Sequence, residues 1–166
     1  LRDFISINPA SLHIMDKDNN KIITALEFGV QIWSSDGRLE KLDLNYNKYS
    51  IVPSYCSFRL DSLPNNIGAL DSLRILILIN NEITTLPESI GDLGILEQLI
   101  LESNRLTTLP ESIGNLHKLK VLYAHNNLLT SLPDSFTELE NLEVLWLFDN
   151  NLTTLPNNIG SLSNLE

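Results

Sequence analysis

Leucines recur along the chain with a fixed step of 23 residues, at Leu73, Leu96, Leu119, Leu142 and Leu165. Further leucines usually follow each of them three and five residues later, and an asparagine follows eight residues later. One unit therefore reads LxxLxLxxNxLTxLPxSIGxLxx, with breaks at Ala124, Phe136 and Thr137. Self-similarity at a step of roughly 20 to 50 residues is typical of repeat arrays, in which no single unit closes a core alone.

The LxLxx part of each unit predicts a short strand. Alternate side chains of a strand point to opposite faces, so Leu76 and Leu78 are expected to point inward together. The second half of each unit predicts turns outside the sheet, because its proline has no amide N–H to donate. These prolines are Pro87, Pro110, Pro133 and Pro156. We therefore predict an α/β solenoid with parallel strands along one face and short helical or extended turns along the other.

An asparagine stands at the end of each predicted strand, where the chain bends inward. Buried side-chain amides at such bends can satisfy the backbone groups of the loop. We therefore expect this column to be structural and not catalytic. Its members are Asn47, Asn81, Asn104, Asn127 and Asn150.

The repeat unit resembles the leucine-rich repeat family. Its LPxxIGxL half is similar to the 23-residue class found in bacterial repeat proteins and in intracellular Ras-group repeat proteins of eukaryotes. The pattern is regular over residues 63–166 and reaches back to Leu39 in LEKLDLNYN. The resemblance implies a right-handed solenoid over residues 39–166, with the parallel sheet on its concave face and the turns on its convex face. It also implies that ligands usually bind on the concave sheet.

Two departures interrupt this pattern. From Asn47 to Leu63 the spacing is 16 residues instead of five, which predicts an 11-residue insertion at about 48–58, either a protruding loop or a degraded repeat. At the other end, LSNLE opens a further repeat without a polar residue layer over it. Exposed terminal layers normally need a polar cap, so we expect the C-terminal cap to be absent and more chain to follow.

The outward positions of the predicted strands are mainly apolar. Neighbouring strands lie about 4.8 Å apart, so outward residues of successive repeats form a contiguous field. Such a field usually marks an interaction site, and Tyr and Trp are enriched in binding hot spots. With the polar members of the same rows, the predicted partner-binding residues are Ile75, Ile77, Ile79, Ile100, Val121, Tyr123, Val144, Trp146, Phe148, Glu102 and His125.

Two further origins of this apolar field stay open. Aromatic and β-branched residues suit strands in general, and a missing part of the protein or a second copy would also cover an apolar face. Glu102, His125 and Asp149 fall on the same face or its rim, which allows an ion pair or a metal contact. Exposed ion pairs are common and weak, so an ordinary surface pair is the favoured interpretation.

The segment DKDNNKIITALE, residues 16–27, resembles an EF-hand calcium loop. The resemblance implies calcium ligands at Asp16, Asp18, Asn20, Ile22 (through its carbonyl), Thr24 and Glu27. Lys21 replaces the glycine that the sharp turn prefers, which implies weakened affinity, and no second loop follows. The same segment also fits two short helices joined by a polar turn, within a helical N-terminal cap over residues 1–38. Both interpretations can hold together.

Charge and composition narrow the function classes. The formal net charge is −10 and the basic residues are scattered, so phosphate backbones and anionic membranes would repel the chain and no nucleic-acid partner is expected. No run of 18 apolar residues predicts membrane insertion. Cys56 is the only cysteine, which excludes an intramolecular disulfide. His13, His117 and His125 fall in the cap, a convex turn and the sheet, so no nucleophile with a positioned base is predicted and we do not expect an enzyme.

The sequence therefore predicts a non-enzymatic module that binds a protein partner through its concave face, with Tyr123, Trp146 and Phe148 as anchors. By analogy with its repeat class, we expect a bacterial protein that is secreted or at the cell surface rather than cytoplasmic. Two alternatives stay open. One is a calcium-regulated adaptor that uses the EF-hand-like loop, and the other is a self-associating assembly protein that forms a homodimer through the concave face.

Overall fold

The computed structural model describes residues 30–35, 38–45 and 59–165. In these ranges six strands form one sheet in sequence order. Strands β2 to β6 are parallel to one another, and β1 runs antiparallel to β2 at one edge. The strands are β1 (Val30–Trp33), β2 (Leu39–Asp43), β3 (Ile75–Ile77), β4 (Gln98–Ile100), β5 (Val121–Tyr123) and β6 (Val144–Trp146).

Short 3-10 helices follow the parallel strands, and four of the five return the chain to the next described strand. They span Ile67–Ala69, Glu88–Asp92, Glu111–Asn115, Asp134–Glu138 and Ile159–Ser161. Each of the three longer helices begins directly after a proline in an extended conformation, as expected for a residue that cannot donate to the sheet. No helix among the described residues is long and apolar enough to cross a membrane. The predicted α/β solenoid, with parallel strands on one side and short turns on the other, is confirmed.

The pairing register stacks equivalent leucines into the core. Leu76 pairs with Leu99, Leu99 with Leu122, and Leu122 with Leu145. The first three of these leucines are fully buried. The two core departures in the unit lie in one repeat, where Ala124 removes volume and Phe136 adds it, and both side chains are fully buried.

The asparagine column forms a hydrogen-bonded ladder that joins successive repeats. The Asn104 Oδ1 accepts from the Ile83 amide at 3.1 Å, and its Nδ2 donates to the carbonyls of Leu78 at 2.8 Å and Leu101 at 3.0 Å. Asn81 and Asn127 are also buried and repeat this arrangement one unit away on either side. The predicted structural role of the column is therefore confirmed for these residues, whereas Asn47 lies outside the described ranges.

The residue before each ladder asparagine adopts a left-handed backbone conformation. The φ values are 60° at Asn80, 56° at Ser103, 54° at Asn126 and 53° at Asp149. Asn and Asp tolerate this conformation better than other residues with a Cβ atom, which accounts for three of the four positions. This conformation bends the chain out of the sheet just after the end of each strand.

The N-terminal edge of the sheet differs from the predicted helical cap at residues 30–33. These residues form β1, and the chain returns to β2 through a turn in which the Ser34 amide donates to the Arg38 carbonyl at 2.8 Å. Antiparallel pairing satisfies the backbone groups along the edge of β2, which a packed helix does not do. The rest of the predicted cap with the EF-hand-like loop at 16–27, and the predicted insertion at about 48–58, lie outside the described residues.

Replacing Asn104 with alanine is expected to lower the free energy of unfolding by about 3 kcal/mol, because buried backbone groups lose their partners. Urea unfolding followed by circular dichroism measures this change. The matched control is Asn115→Ala, which removes an exposed amide from a 3-10 helix and should change the value by less than about 0.5 kcal/mol. Equal effects of the two variants would contradict a structural role for the ladder.

Glycines in the convex turns allow successive repeats to pack closely. A Cβ atom on Gly91 would lie 2.3 Å from the backbone oxygen of Ser112, whereas a Cβ on Gly94 would meet nothing within 4 Å. We expect Gly91→Ala to lower the free energy of unfolding by about 2 kcal/mol, because the turns must move apart. Gly94→Ala should leave it unchanged or raise it by up to about 1 kcal/mol. Thermal unfolding of the two variants side by side tests this, and a harmless Gly91→Ala would show that the turns are loosely packed.

Candidate functional site

The outward residues of the parallel strands lie side by side on the concave face. In the central row, Ile77 pairs with Ile100, Ile100 with Tyr123, and Tyr123 with Trp146. The row on one side contains Ile75, Gln98, Val121 and Val144 in the same register. The structure thus brings the predicted apolar residues of these rows together on one surface.

Four rings form an aromatic cluster at the β5–β6 end of this face: Tyr123, His125, Trp146 and Phe148. Tyr123 and Trp146 stack with their centroids 4.3 Å apart and their planes at 16°. His125 and Phe148 also stack, at 4.3 Å and 28°. The two stacks meet through an edge contact of His125 with Trp146 at 5.5 Å and a tilted contact of Trp146 with Phe148 at 6.0 Å. Such contacts fix ring orientation, so the cluster is preorganised.

Part of the aromatic cluster faces solvent. Trp146 is 45% exposed and Phe148 is 54% exposed. The other exposed large apolar residues of the described chain are Ile95, Leu128 and Leu155, which lie in turns and loops away from the strands. On the described sheet, the exposed large apolar side chains therefore lie in this cluster, in β6 and two residues after it. β6, which carries Trp146, pairs with another described strand on one side only.

Two predicted partner-binding residues are less exposed to solvent than expected for side chains on the outward face of a strand. Ile100 is 7% exposed, because it lies between Ile77 and Tyr123 in the central row. His125 is 5% exposed, because the rings of Phe148, Trp146 and Tyr123 surround it. Half-buried side chains make up the rest of the apolar field, namely Ile75, Ile77, Ile79, Val121, Tyr123 and Val144. The accessible apolar area is therefore concentrated toward Trp146 and Phe148.

Glu102 and His125 form the pair that the sequence placed on this face. The His125 Nε2 lies 3.4 Å from the Glu102 Oε1, and the pair is ionic only when the imidazole is protonated. The other ring nitrogen, Nδ1, is buried and has no hydrogen-bond partner. Within the described ranges no three His, Cys, Asp or Glu side chains come together in a way that could hold a metal ion. The imidazole of His125 therefore packs against the neighbouring aromatic rings and pairs with Glu102 at one nitrogen.

The charged groups at the aromatic end of the face are acidic. At the outward positions of β4 to β6 and just beyond them, Glu102 is the one residue with a formal charge, and exposed Asp149 follows Phe148. Lys41 lies on the same face at the distant β2 end, where its Nζ is 3.6 Å from the Asp43 carboxylate. The repeat pattern places Asp149 on the rim but not in the predicted partner-binding set. The sequence shows only that Asp149 directly follows Phe148, the last aromatic residue of the row.

Comparisons with known proteins agree with the repeat and its geometry. A family model described as a leucine-rich repeat region matches residues 51–166, a range that excludes the EF-hand-like loop. No curated protein matches the chain significantly in sequence. In contrast, 193 chains of solved structures match it.

Three of these solved structures show the extent of the similarity. The leucine-rich-repeat protein LIC12759 of Leptospira interrogans is 35% identical, with a TM-score of 0.65, over 77% of this chain and 36% of that one. InlP of Listeria monocytogenes is 32% identical, with a TM-score of 0.61, over 76% of this chain and 32% of that one. The PEPR1–AtPEP1 structure, at 24% identity and a TM-score of 0.70 over 100% of this chain and 27% of that one, shows the shared fold alone.

The chain spans about a third of the length of the two bacterial proteins. The predicted resemblance to bacterial repeat proteins is confirmed by these two structures, and members of the matched family are generally non-catalytic modules. The family model covers more than half of the chain, including the strands β3 to β6 with their turns and the asparagine ladder. The chain therefore belongs to the leucine-rich repeat family.

Proposed function

We propose that the chain is a non-enzymatic interaction module that binds a partner protein through its concave sheet, as part of a bacterial surface or secreted protein. The observation that carries this proposal is the exposure of Trp146 and Phe148 on the sheet face, at 45% and 54%. Exposed apolar side chains that adjoin one another on a folded protein are typical of interaction sites. The similarity to repeat proteins of Leptospira interrogans and Listeria monocytogenes supports the bacterial setting.

The ring contacts suit these residues to act as anchors. Trp146 stacks on Tyr123 and Phe148 stacks on His125, so each exposed ring has a ring beneath or beside it that restrains its rotation. A restrained side chain loses little conformational entropy when a partner covers it, and more of the contact energy appears as affinity. In this arrangement Trp146 and Phe148 contact the partner, half-buried Tyr123 contributes its edge, and buried His125 positions the rings.

The isoleucines extend the contact area beyond the anchors. Ile75, Ile77 and Ile79 are half-buried in β3 and directly after it, so each offers part of its side chain to a ligand that crosses the sheet. Ile100 contributes little area because it is buried. Binding energy is therefore expected to concentrate at the aromatic end, with the isoleucines as weaker surroundings that exclude water.

Stability measurements separate a binding surface from a structural one. We expect Trp146→Ala to lower the free energy of unfolding by about 1 kcal/mol, because the ring is half exposed and loses mainly its stacking contacts. Phe136→Ala should cost about 3 to 5 kcal/mol or unfold the chain, because Phe136 is fully buried. Chemical denaturation of both variants gives the comparison. A Trp146→Ala loss as large as that of Phe136→Ala would mean that the cluster exists to hold the fold together.

Selection from a phage-displayed library of random peptides tests binding through the concave face. Peptides enriched on the immobilised wild-type chain should lose most of their binding to the double variant Trp146→Ala/Phe148→Ala. They should keep it on Ile95→Ala, which removes an equally exposed apolar side chain from a turn away from the sheet. Enrichment that is insensitive to the double variant, or equally sensitive to both variants, would contradict the proposal.

Light scattering at several protein concentrations tests the homodimer that the sequence left open. If the concave face binds a second copy, association should weaken in Trp146→Asp, because a charge replaces the stacked ring at the contact. A concentration-independent monomer mass for the wild type removes the homodimer and leaves the face open to another partner.

A further inference from the structure

We propose that two columns of alternating charge specify the order in which the repeats stack. They make each repeat pair with its neighbour in sequence and not with the repeat after that. The inference goes beyond the proposed function and does not depend on what binds the concave face. The repeats are numbered 1 to 5 after the strands β2 to β6 that they contain.

The residues that define the repeat unit do not encode this order. Core leucines and ladder asparagines recur in successive repeats, so a chain that skipped one repeat would still stack leucine on leucine. It would also keep the bonds of the asparagines to the backbone. Nearly identical units compete for the same neighbour, and misassembly is a characteristic failure of repeat proteins. The order therefore has to come from positions that differ between repeats.

The first set of such positions, the strand-start column, lies where each parallel strand begins. Its members are Glu40, Arg74, Glu97, Lys120 and Glu143, which alternate in sign over all five repeats. Backbone hydrogen bonds of 2.8 to 2.9 Å run from the amide of each later member to the carbonyl of the member before it. The side chains of Arg74 and Glu97 also form an ion pair. Opposite charges therefore occupy neighbouring positions along this end of the sheet.

The second set, the loop column, lies in the loops beyond the strands and alternates in the opposite phase. Its members are Arg59, Glu82 and Arg105, from repeats 1, 2 and 3. The Glu82 amide donates to the Leu60 carbonyl at 2.8 Å. In the next repeat the Arg105 amide donates to the Ile83 carbonyl at 3.0 Å. The Glu82 Oε1 lies 3.6 Å from the Arg59 guanidinium and 3.3 Å from the Arg105 guanidinium, so one carboxylate joins cations from the repeats on either side.

Together the two columns distinguish correct pairing from skipped pairing. Each of repeats 1 to 3 carries one charge of each sign, and the two signs exchange places from one repeat to the next. A stack of repeat 1 on repeat 3 would bring Glu40 beside Glu97 in the strand-start column. It would also bring Arg59 beside Arg105 in the loop column. Like charges opposite each other in a sheet are destabilising, so pairs that are weak alone add up to one preference for the native order.

The test reverses both charges of repeat 3 in Glu97→Lys/Arg105→Glu, which leaves the net charge unchanged. Repeat 3 then carries the same signs as repeat 2. The native contacts of repeat 3 with repeats 2 and 4 become repulsive, and its pairing with repeat 1 becomes attractive. We therefore expect this variant to form skipped pairs during refolding.

A competition between disulfides measures the order of the repeats. The full chain carries Cys56→Ser together with Lys41→Cys, Gln98→Cys and Val121→Cys, and it refolds from urea at low protein concentration under oxidising conditions. Positions 98 and 121 are directly paired in the native sheet, whereas positions 41 and 98 are two strands apart and too distant for a disulfide. Peptide mass spectrometry gives the ratio of the 41–98 bond to the 98–121 bond. Reversal of repeat 3 should raise this ratio about tenfold, with a smaller rise in high salt.

Two further chains control for charge and for stability. Lys118→Glu/Glu138→Lys makes a matched reversal at exposed positions outside both columns, and it should leave the ratio unchanged. In the fully inverted chain, lysine replaces each carboxylate of the two columns and glutamate replaces each cation. Alternation is then restored with all signs exchanged, and the ratio should return to that of the wild-type columns.

Three results would overturn the inference. They are an unchanged ratio on reversal of repeat 3, an equal rise in Lys118→Glu/Glu138→Lys, and a raised ratio in the fully inverted chain. The ratio is read during refolding, so it remains measurable where reversal of repeat 3 prevents a stable native state. A native ratio in the fully inverted chain then shows that the alternation, and not the individual residues, specifies the order.

Discussion

The asparagine ladder is the interaction on which the rest of the structure depends. Where each short strand ends, the chain leaves the sheet and its backbone groups would be buried without partners. The side chains of Asn81, Asn104 and Asn127 provide those partners by donating to carbonyls of their own and the preceding repeat and by accepting from an amide of the preceding repeat. Each side-chain amide bonds to the same positions of its own repeat and of the preceding repeat. The ladder therefore holds successive strands in register.

Register then determines which side chains meet on the concave face. The same alignment that stacks Leu76, Leu99 and Leu122 in the core places the residues after them in one outward row. These outward residues contribute little to the core, so their chemistry can vary from repeat to repeat while the fold stays the same. The row that begins with aliphatic Ile77 can therefore end with the stacked rings of Tyr123 and Trp146. A repeated scaffold thus carries a local, non-repeated surface.

The sequence predicted the parallel strands, the turns, the core leucines and the asparagine column, because each depends on periodicity within one unit. It did not predict the depth of burial on the concave face. Ile100 is buried between Ile77 and Tyr123 of the adjacent strands, and His125 is buried by surrounding aromatic rings. The size of those neighbours is not part of the repeat pattern. The strand at Val30–Trp33 was missed for a similar reason, since its pairing with Leu39–Asp43 depends on an unpaired sheet edge and not on a pattern inside the segment. The sequence placed Tyr123, Trp146 and Phe148 on one face of the sheet, whereas the ring stacking that orients them required coordinates.

Strand propensity alone does not account for the aromatic cluster. Aromatic residues are favoured in strands chiefly because they pack against neighbours and become half buried. The β-branched Val121 and Val144 follow this tendency, since both are half buried in one outward row. Trp146 and Phe148 are 45% and 54% exposed although each has a stacked neighbour, and β6 pairs with a described strand on one side only. Stacking keeps these rings ordered, and an ordered ring loses little conformational entropy when a partner covers it, as the proposed binding role requires.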